Sequence, residues 1–448
     1  MKILFANPPW WVESKDYVQP TGKIKHFWTK GVRAGSRWPH TNVVWSSPDN
    51  YRFKDQLNYP YFLGMSASYA KKNLKNCEIF FRDSIALSDS YETFFKYINK
   101  HQFNLILIET ASSAWEHDKE IIKKIKKALP NCKIVLSGPI YTLGNKVFDD
   151  APVTTVLKGE YEKNFVTTVE NNLDGFVNFD FLTREEMNNF EHQYNDNEHA
   201  YIYFEDFPRA RVAQLHLLTS RGCPYKCIFC AWPAVMTSRD PDGKNKRTVR
   251  QYSKDHLDEF ISKSLKDYNY NHIVFDDDTF NLGDRHVNNV CEIMRKKSVT
   301  WHAMCRADTI SRETWKHMKD SGCIGVKIGF ESGNQEVVDK IVKKDLNLEE
   351  AKETVKHIRS IDLKVHGFFT YGLPGETKEQ MIDTKNYLKS LDLDAYQESG
   401  TAILDGTPLE TLMKEKKLEK YSKAEVNKDF KFDRDGNKKM KEIQKNIL

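Results

Sequence analysis

Short, wholly apolar runs alternate with stretches of helical period along most of this chain. Lys2–Ala6 (KILFA), Glu78–Arg82, Leu105–Glu109, Lys133–Ser137 and Thr155–Lys158 read as strands. Helical patterns lie between them, for example Glu116–Ala128, where IIKKIKKA repeats apolar residues at helical spacing. Strands that are apolar throughout predict a parallel sheet covered by helices on both faces. Residues 166–210 break this rhythm with polar and aromatic text (NNFEHQYNDNEHAYIYFEDFPRA) and read as a linker. From Ala213 the alternation resumes: AQLHLLTSRG, HIVFDDDTF, WHAMCRAD, VKIGFESG and VHGFFTYGLPGET are strands ending in polar clusters. Helical patterns at Lys254–Lys263, Arg285–Lys296, Arg312–Ser321, Leu348–Ser360 and Lys378–Leu391 separate them. The predicted fold class is α/β. A doubly wound, Rossmann-like domain covers 1–165 and a linker 166–210. A partial (β/α)6, TIM-like barrel covers 211–400, and a short helical tail 401–448. No repeat of solenoid length is visible.

A length of 448 residues suits about three units of roughly 150 residues. With 68 basic and 63 acidic residues the net charge is +5, too even to argue for nucleic acid or a membrane as partner. The lysine-rich KEKKLEKYSK and NKKMKEIQK read as solvated helical faces. No stretch approaches the ~20 apolar residues that span a bilayer. MKILFANPP is too short for a signal peptide and is broken by NPP. The expected location is therefore the cytoplasm, where thiols stay reduced. Of the eight cysteines three cluster at metal-ligand spacing; the other five are scattered, as core thiols are.

The cluster is CPYKCIFC: Cys223, Cys227 and Cys230, spaced C-x3-C-x2-C. Gly222 and Pro224 punctuate a turn that lets three sulfurs face inward from one loop. A structural zinc takes four Cys or His ligands, usually in paired knuckles, and the second pair is missing. His216 lies inside a strand as an ordinary packed side chain, and the next cysteine is Cys291. A 4Fe–4S cube normally takes four thiolates as well. With three, one iron keeps an open position for a substrate's amine and carboxylate.

This spacing, with Phe229 before the last cysteine at the end of a barrel's first strand, resembles the radical S-adenosylmethionine (SAM) superfamily. The resemblance implies a 4Fe–4S cluster on Cys223, Cys227 and Cys230, with SAM on the open iron. One electron from an external reductant such as flavodoxin or ferredoxin then cleaves SAM to methionine and a 5′-deoxyadenosyl radical. It implies Asp277 or Asp278 of FDDDTF at the methionine amino group, although the usual glycine-glycine-glutamate form is absent. Arg306 would grip the methionine carboxylate as a bidentate guanidinium. Glu331 and Ser332 of GFESG would meet ribose and amine, and Tyr371, Gly372, Leu373 and Pro374 the adenine side.

In a doubly wound sheet, ligands bind beyond the carboxyl ends of the strands. The residues there are small: Asn7-Pro8-Pro9, Asp83-Ser84, Thr110-Ala111-Ser112 and Ser137-Gly138-Pro139, which suits a flat, bulky ligand. A dinucleotide is a poor fit, because NPPWW replaces a G-x-G-x-x-G and two prolines offer no N–H to a pyrophosphate. Such a domain ahead of this barrel, with RDSIAL, ETAS, LSGP and LKGEYE, resembles the cobalamin-binding subclass. That implies cobalamin contacts from Asn7, Pro8, Pro9, Asp83, Ser84, Ile85, Thr110, Ala111, Ser112, Ser137, Gly138, Pro139, Gly159 and Glu160. Asp83 is followed by Ser84 and Ile85, so the histidine of an Asp-x-His-x-x-Gly motif is missing and cobalt would have no protein nitrogen from that motif. Val32–His40 (VRAGSRWPH) also resembles a loop of the subclass.

The implied activity is methyl transfer to an unactivated carbon or a phosphorus centre of a small-molecule or peptide substrate. In the implied cycle cobalamin takes a methyl group from one SAM, giving methylcobalamin. A second SAM yields the radical that activates the substrate. Two alternatives stay open: a non-methylating cyclase or ring-contraction enzyme of the same subclass, and a cobalamin- or redox-sensing module without turnover. A methylthiotransferase would want a second cysteine cluster, which Cys77 and Cys132 do not make. DAYQESGTAILDGTPLE, near the barrel's end, is expected to help line the substrate cavity.

Overall fold

The computed structural model describes residues 1–9, 11–14, 27–30, 60–85, 87, 89–112, 114–177, 180–191, 204–206, 211–232, 236, 247–267, 270–401 and 403–415. Val32–His40 and the lysine-rich C-terminal strings beyond Glu415 lie outside the described residues. The chain divides into two compact units, with the break between Glu205 and Asp206.

The first unit is a six-stranded sheet with every pair parallel. In chain order its elements are β1 (Lys2–Asn7), α1 (Tyr61–Asn73), β2 (Glu78–Asp83), α2 (Tyr91–His101), β3 (Leu105–Glu109), α3 (Trp115–Ala128), β4 (Lys133–Ser137), α4 (Lys146–Asp150), β5 (Thr155–Leu157), α5 (Glu162–Asn171) and β6 (Gly175–Val177). Their order across the sheet is β2-β1-β3-β4-β5-β6. A two-stranded antiparallel ladder pairs Trp11–Ser14 with Phe27–Lys30. Alternation within each strand builds two cores. Leu4, Ala6, Ile106, Ile108, Ile134 and Leu136 join Ile98, Trp115 and Ile122 of α2 and α3. Phe5 points the other way, its ring 4.7 Å from that of Phe165 on α5. Both faces are thus covered, which is why these strands are apolar at every position. The expected linker does not begin at 166: α5 runs to Asn171 and β6 adds a sixth strand, because Phe165, Val166 and Val177 are buried in this unit.

The second unit also carries parallel strands: β7 (Arg211–Leu217), β8 (His272–Phe275), β9 (Thr300–Cys305), β10 (Cys323–Glu331), β11 (Lys364–Tyr371) and β12 (Ala395–Gly400). They pair in sequential order, as expected of an open βα barrel. The intervening helices are α6 (Lys254–Asp267), α7 (Asp284–Met294), α8 (Arg312–Asp320), α9 (Leu348–Ser360) and α10 (Lys378–Ser390), followed by α11 (Pro408–Glu415). Their starts are legible in sequence. Ser311, Asn347 and Thr377 cap α8, α9 and α10, and Thr377 forms a reciprocal capping box with Gln380. The two faces of the sheet differ. Phe330 and Phe369 stack at 5.4 Å beneath Tyr387 of α10, so alternate residues Lys327, His366 and Thr370 take the opposite, inner face, where Glu331, past a register shift after Gly329, meets Thr370. No helix among the described residues is long and apolar enough to cross a membrane.

Candidate functional site

The cysteine loop follows β7 and is tied down before its first sulfur. Asp277, at the end of β8, accepts the Thr219 amide at 3.0 Å, the Thr219 hydroxyl at 2.9 Å and the Ser220 hydroxyl at 2.7 Å. Thr219 Oγ1 is 2.8 Å from His286 Nε2 on α7 and accepts that N–H, since its own proton goes to Asp277. Burial pushes Asp277 up to about 6 despite its donors, and pushes His286 down to about 4. The next residue, Asp278, accepts the Gly222 amide at 3.0 Å. Two adjacent aspartates on one strand end therefore fix the entry to Cys223.

Cys223 is buried and its sulfur lies 3.3 Å from Thr279 Oγ1. Burial raises the Cys223 thiol and raises Cys230 further; Cys223 feels Asp278 and Cys227, and Cys230 feels Cys227, Asp278 and Cys223. The three sulfurs are thus neighbours in a low-dielectric place, where thiolates need compensating positive charge. Iron of a cluster would supply it. The remaining cysteines of this unit answer to other neighbours: Cys305 to Cys323 and Asp277, Cys323 to Cys291. Among the described residues no three His, Cys, Asp or Glu side chains are placed to hold one metal ion. Three thiolates on three separate iron corners need not converge on one point.

Charge beside Cys227 comes from residues outside the loop. Lys344 Nζ lies 3.2 Å from Glu331 Oε1, and Thr370 donates to Glu331 Oε2 at 3.1 Å. Burial opposes protonation of Lys344, but Glu331 and the Cys227 thiol outweigh it and hold the ammonium above its ordinary value. Phe229 and Cys227 pack on Val337, Val342 and Leu373. Glu376 accepts the Gly372 and Leu373 amides at 2.7 and 3.1 Å, shaping the turn that presents Leu373, and burial lifts its carboxyl to about 7.

Several of the expected SAM residues have partners within the chain. Arg306 is already gripped: Asp308 takes it bidentately at 2.6 and 2.9 Å, and the Lys344 and Asp345 carbonyls accept at 3.0 and 2.7 Å. Its guanidinium also lies 3.4 Å over the Tyr225 ring, so it braces the loop. The Asp277 carboxylate is consumed by Thr219 and Ser220, leaving Asp278 nearer the thiols. The Ser332 hydroxyl faces Thr384 of α10 at 2.9 Å, and Tyr371 donates to Glu398, both away from the inner face. Sequence reading missed Lys344, Thr279 and Glu376. A glutamate four residues after Gly372, in GLPGE, was the one available signal among them.

In the first unit β1 and β3 flank the point where strand order reverses, the usual ligand crevice of such sheets. Much of the expected polar set there is internally bonded. Asn7 donates to Asp83 at 2.8 Å, Ser84 to Asp89 at 2.7 Å and Thr110 to Asp118 at 2.5 Å. What remains open is backbone and the Ser137 hydroxyl, which is fully buried and makes no hydrogen bond among the described residues. Gly138 follows with φ +90°, and a Cβ there would stand 2.5 Å from the Thr110 carbonyl. Smooth backbone and one orphan hydroxyl fit a broad ligand with amide edges, as cobalamin is.

Residues 217–388 match the radical SAM superfamily. This chain carries a radical SAM domain. Over 344 residues it is 24% identical to an uncharacterized methyltransferase of Pyrococcus horikoshii, covering 73% of each chain. It is 30% identical over 210 residues to the cytidylyl-2-hydroxyethylphosphonate methyltransferase of Streptomyces wedmorensis, covering 44% of this chain and 37% of that protein. Its fold is like that of the radical SAM methyltransferase TsrM from Kitasatospora setae, solved with cobalamin and a [4Fe–4S] cluster bound. That likeness has TM-score 0.63 and 14% identity, covering 80% of this chain and 72% of that one.

Proposed function

We propose that this chain is a cobalamin-dependent radical SAM methyltransferase acting on an unactivated carbon or a phosphorus centre of a small molecule. The observation that carries the reading is the set of three neighbouring cysteines, with burial raising the thiols of Cys223 and Cys230, in a unit that spends its other cysteines elsewhere. The methyltransferase names of the relatives support the transfer, and the cofactors of TsrM support cobalamin in the first unit.

When bound, the cluster supplies the electron that cleaves SAM, and cobalamin supplies the methyl carrier. The chain's own residues hold and shape the place. Cys223, Cys227 and Cys230 ligate; Asp278 and Thr279 set the direction of the loop at Gly222 and Cys223. Lys344, kept charged by Glu331, offers the positive group for a methionine carboxylate that Arg306 does not. Phe229 and Leu373 close the apolar side and keep water from the cluster. An external one-electron reductant, and with it the cytoplasm, follows from this chemistry.

Anaerobic reconstitution tests the reading: about four irons and four sulfides per chain, cobalamin co-purifying, and a product heavier by one methylene equivalent. S-adenosylhomocysteine and 5′-deoxyadenosine should accumulate together. Deoxyadenosine without S-adenosylhomocysteine would instead support a non-methylating reaction.

A further inference from the structure

We infer that the start of α11, outside the matched residues 217–388, is a positioning element of the iron–sulfur site. It fixes the peptide plane between Ile228 and Phe229. The inference rests on the cluster reading above and adds a residue to it, Leu409.

Cys230 N–H donates to the Cys227 carbonyl at 3.1 Å, so residues 227–230 form a β-turn whose central residues are Ile228 and Phe229. The two common turn types differ by a flip of the peptide joining those central residues. Both polar groups of Ile228 are engaged from outside the turn. Its N–H donates to the Val342 carbonyl at 3.0 Å, and its carbonyl accepts the Leu409 N–H at 2.9 Å. The second bond acts directly on the peptide that would flip.

The donor is placed for this. The opening amides of a helix have no intrahelical partner, and Pro408, at the first position of α11, has no N–H to give. Leu409 therefore carries the first free amide. The turn is held by Thr407, whose hydroxyl donates to the Leu404 carbonyl at 2.7 Å and accepts the Glu410 amide at 3.3 Å. The Glu410 carboxylate in turn accepts the Gly406 N–H at 2.8 Å. Thr407 and Leu409 are fully buried, so no water competes for the contact. Phe229 is absent from the residues with positive φ, and a flipped peptide would force it there at a steric cost.

Because the peptide is trans, its N–H and carbonyl point opposite ways. Holding the Ile228 carbonyl toward α11 thus fixes the direction of the Phe229 N–H, inside the span that carries Cys227 and Cys230. Amides close to cluster sulfurs tune reduction potential. The chain segment after the barrel accordingly sets a property of the cluster, not merely the stability of the barrel.

The test uses the full chain with Leu409→leucic acid, which replaces the N–H by an ester oxygen and keeps the side chain, beside Leu409→Ala, which keeps the N–H. After anaerobic reconstitution, iron per chain at limiting iron, the cluster midpoint potential and its reduced-state electron paramagnetic resonance are measured. The ester chain is expected to take up less iron and to show a shifted potential and spectrum, with the alanine chain close to the unmodified one. An ester chain matching the unmodified one overturns the inference. So does an alanine chain that shifts as far as the ester, since packing would then be the cause. An unmodified chain that takes up no cluster overturns this inference and the proposed function together.

Discussion

Gly329 decides whether the buried ion pair beside Cys227 can form. A Cβ at this position would stand 2.4 Å from Glu331 Oε1 and 3.2 Å from Lys344 Nζ. Gly329→Ala should separate the pair, lower stability by about 2 kcal/mol and raise the KM for SAM at least tenfold. Chemical denaturation and steady-state deoxyadenosine formation measure the two effects. His286 gives a pH prediction. Burial holds its folded-state pKa at about 4, below the ordinary 6.5. On acidification the unfolded chain takes the proton first, so stability falls between pH 6.5 and pH 4. Asp277, raised to about 6, acts in the opposite sense from pH 6 downward, because the folded state takes that proton first. Comparing wild type with His286→Gln isolates the histidine: the variant should avoid about 3 kcal/mol of acid destabilisation. Equal acid slopes for the two proteins would mean that His286 is not buried as a neutral ring.

Among the elements, the β3–β4 edge of the first sheet depends on one turn. Gly138→Ala combines a strained φ of +90° with a 2.5 Å approach to the Thr110 carbonyl. It should cost at least about 2 kcal/mol and reduce co-purifying cobalamin, while iron binding in the second unit stays intact. Corrinoid and iron contents of the same preparation check this. The sheet strands were legible because both faces are covered, which makes apolar runs such as Leu105–Glu109 continuous. Helices α8 to α10 were legible from periodicity within a residue or so, and their caps mark them as well. The part from 166 to 177 was not, since a three-residue strand and a helix of mixed composition carry little period. The site shows the same limit. Spacing names the three cysteines, but which aspartate faces outward, or that Arg306 spends its donors on Asp308, depends on side-chain direction. A one-dimensional pattern does not encode that. Lys344 was invisible because its partner Glu331 is on another element and its neighbour Lys343 looks identical in sequence.

At the scale of the whole molecule the proposed chemistry divides between two compact units, each with its own core and its own candidate site at strand ends. Cofactor loading should divide in the same way. Cys227→Ala removes a proposed cluster ligand from a loop of the second unit, so the variant should lose the cluster yet keep the corrinoid absorbance of the purified protein. A variant that lost both would contradict the independence of the two sites. The most direct test of the central claim is 5′-deoxyadenosine, quantified by mass spectrometry from the anaerobically reconstituted chain with SAM and a strong one-electron reductant, in wild type and Cys227→Ala. The account predicts deoxyadenosine from wild type and none above background from the variant. A wild-type chain with a full cluster and no deoxyadenosine, or a variant that still makes it, would contradict the account.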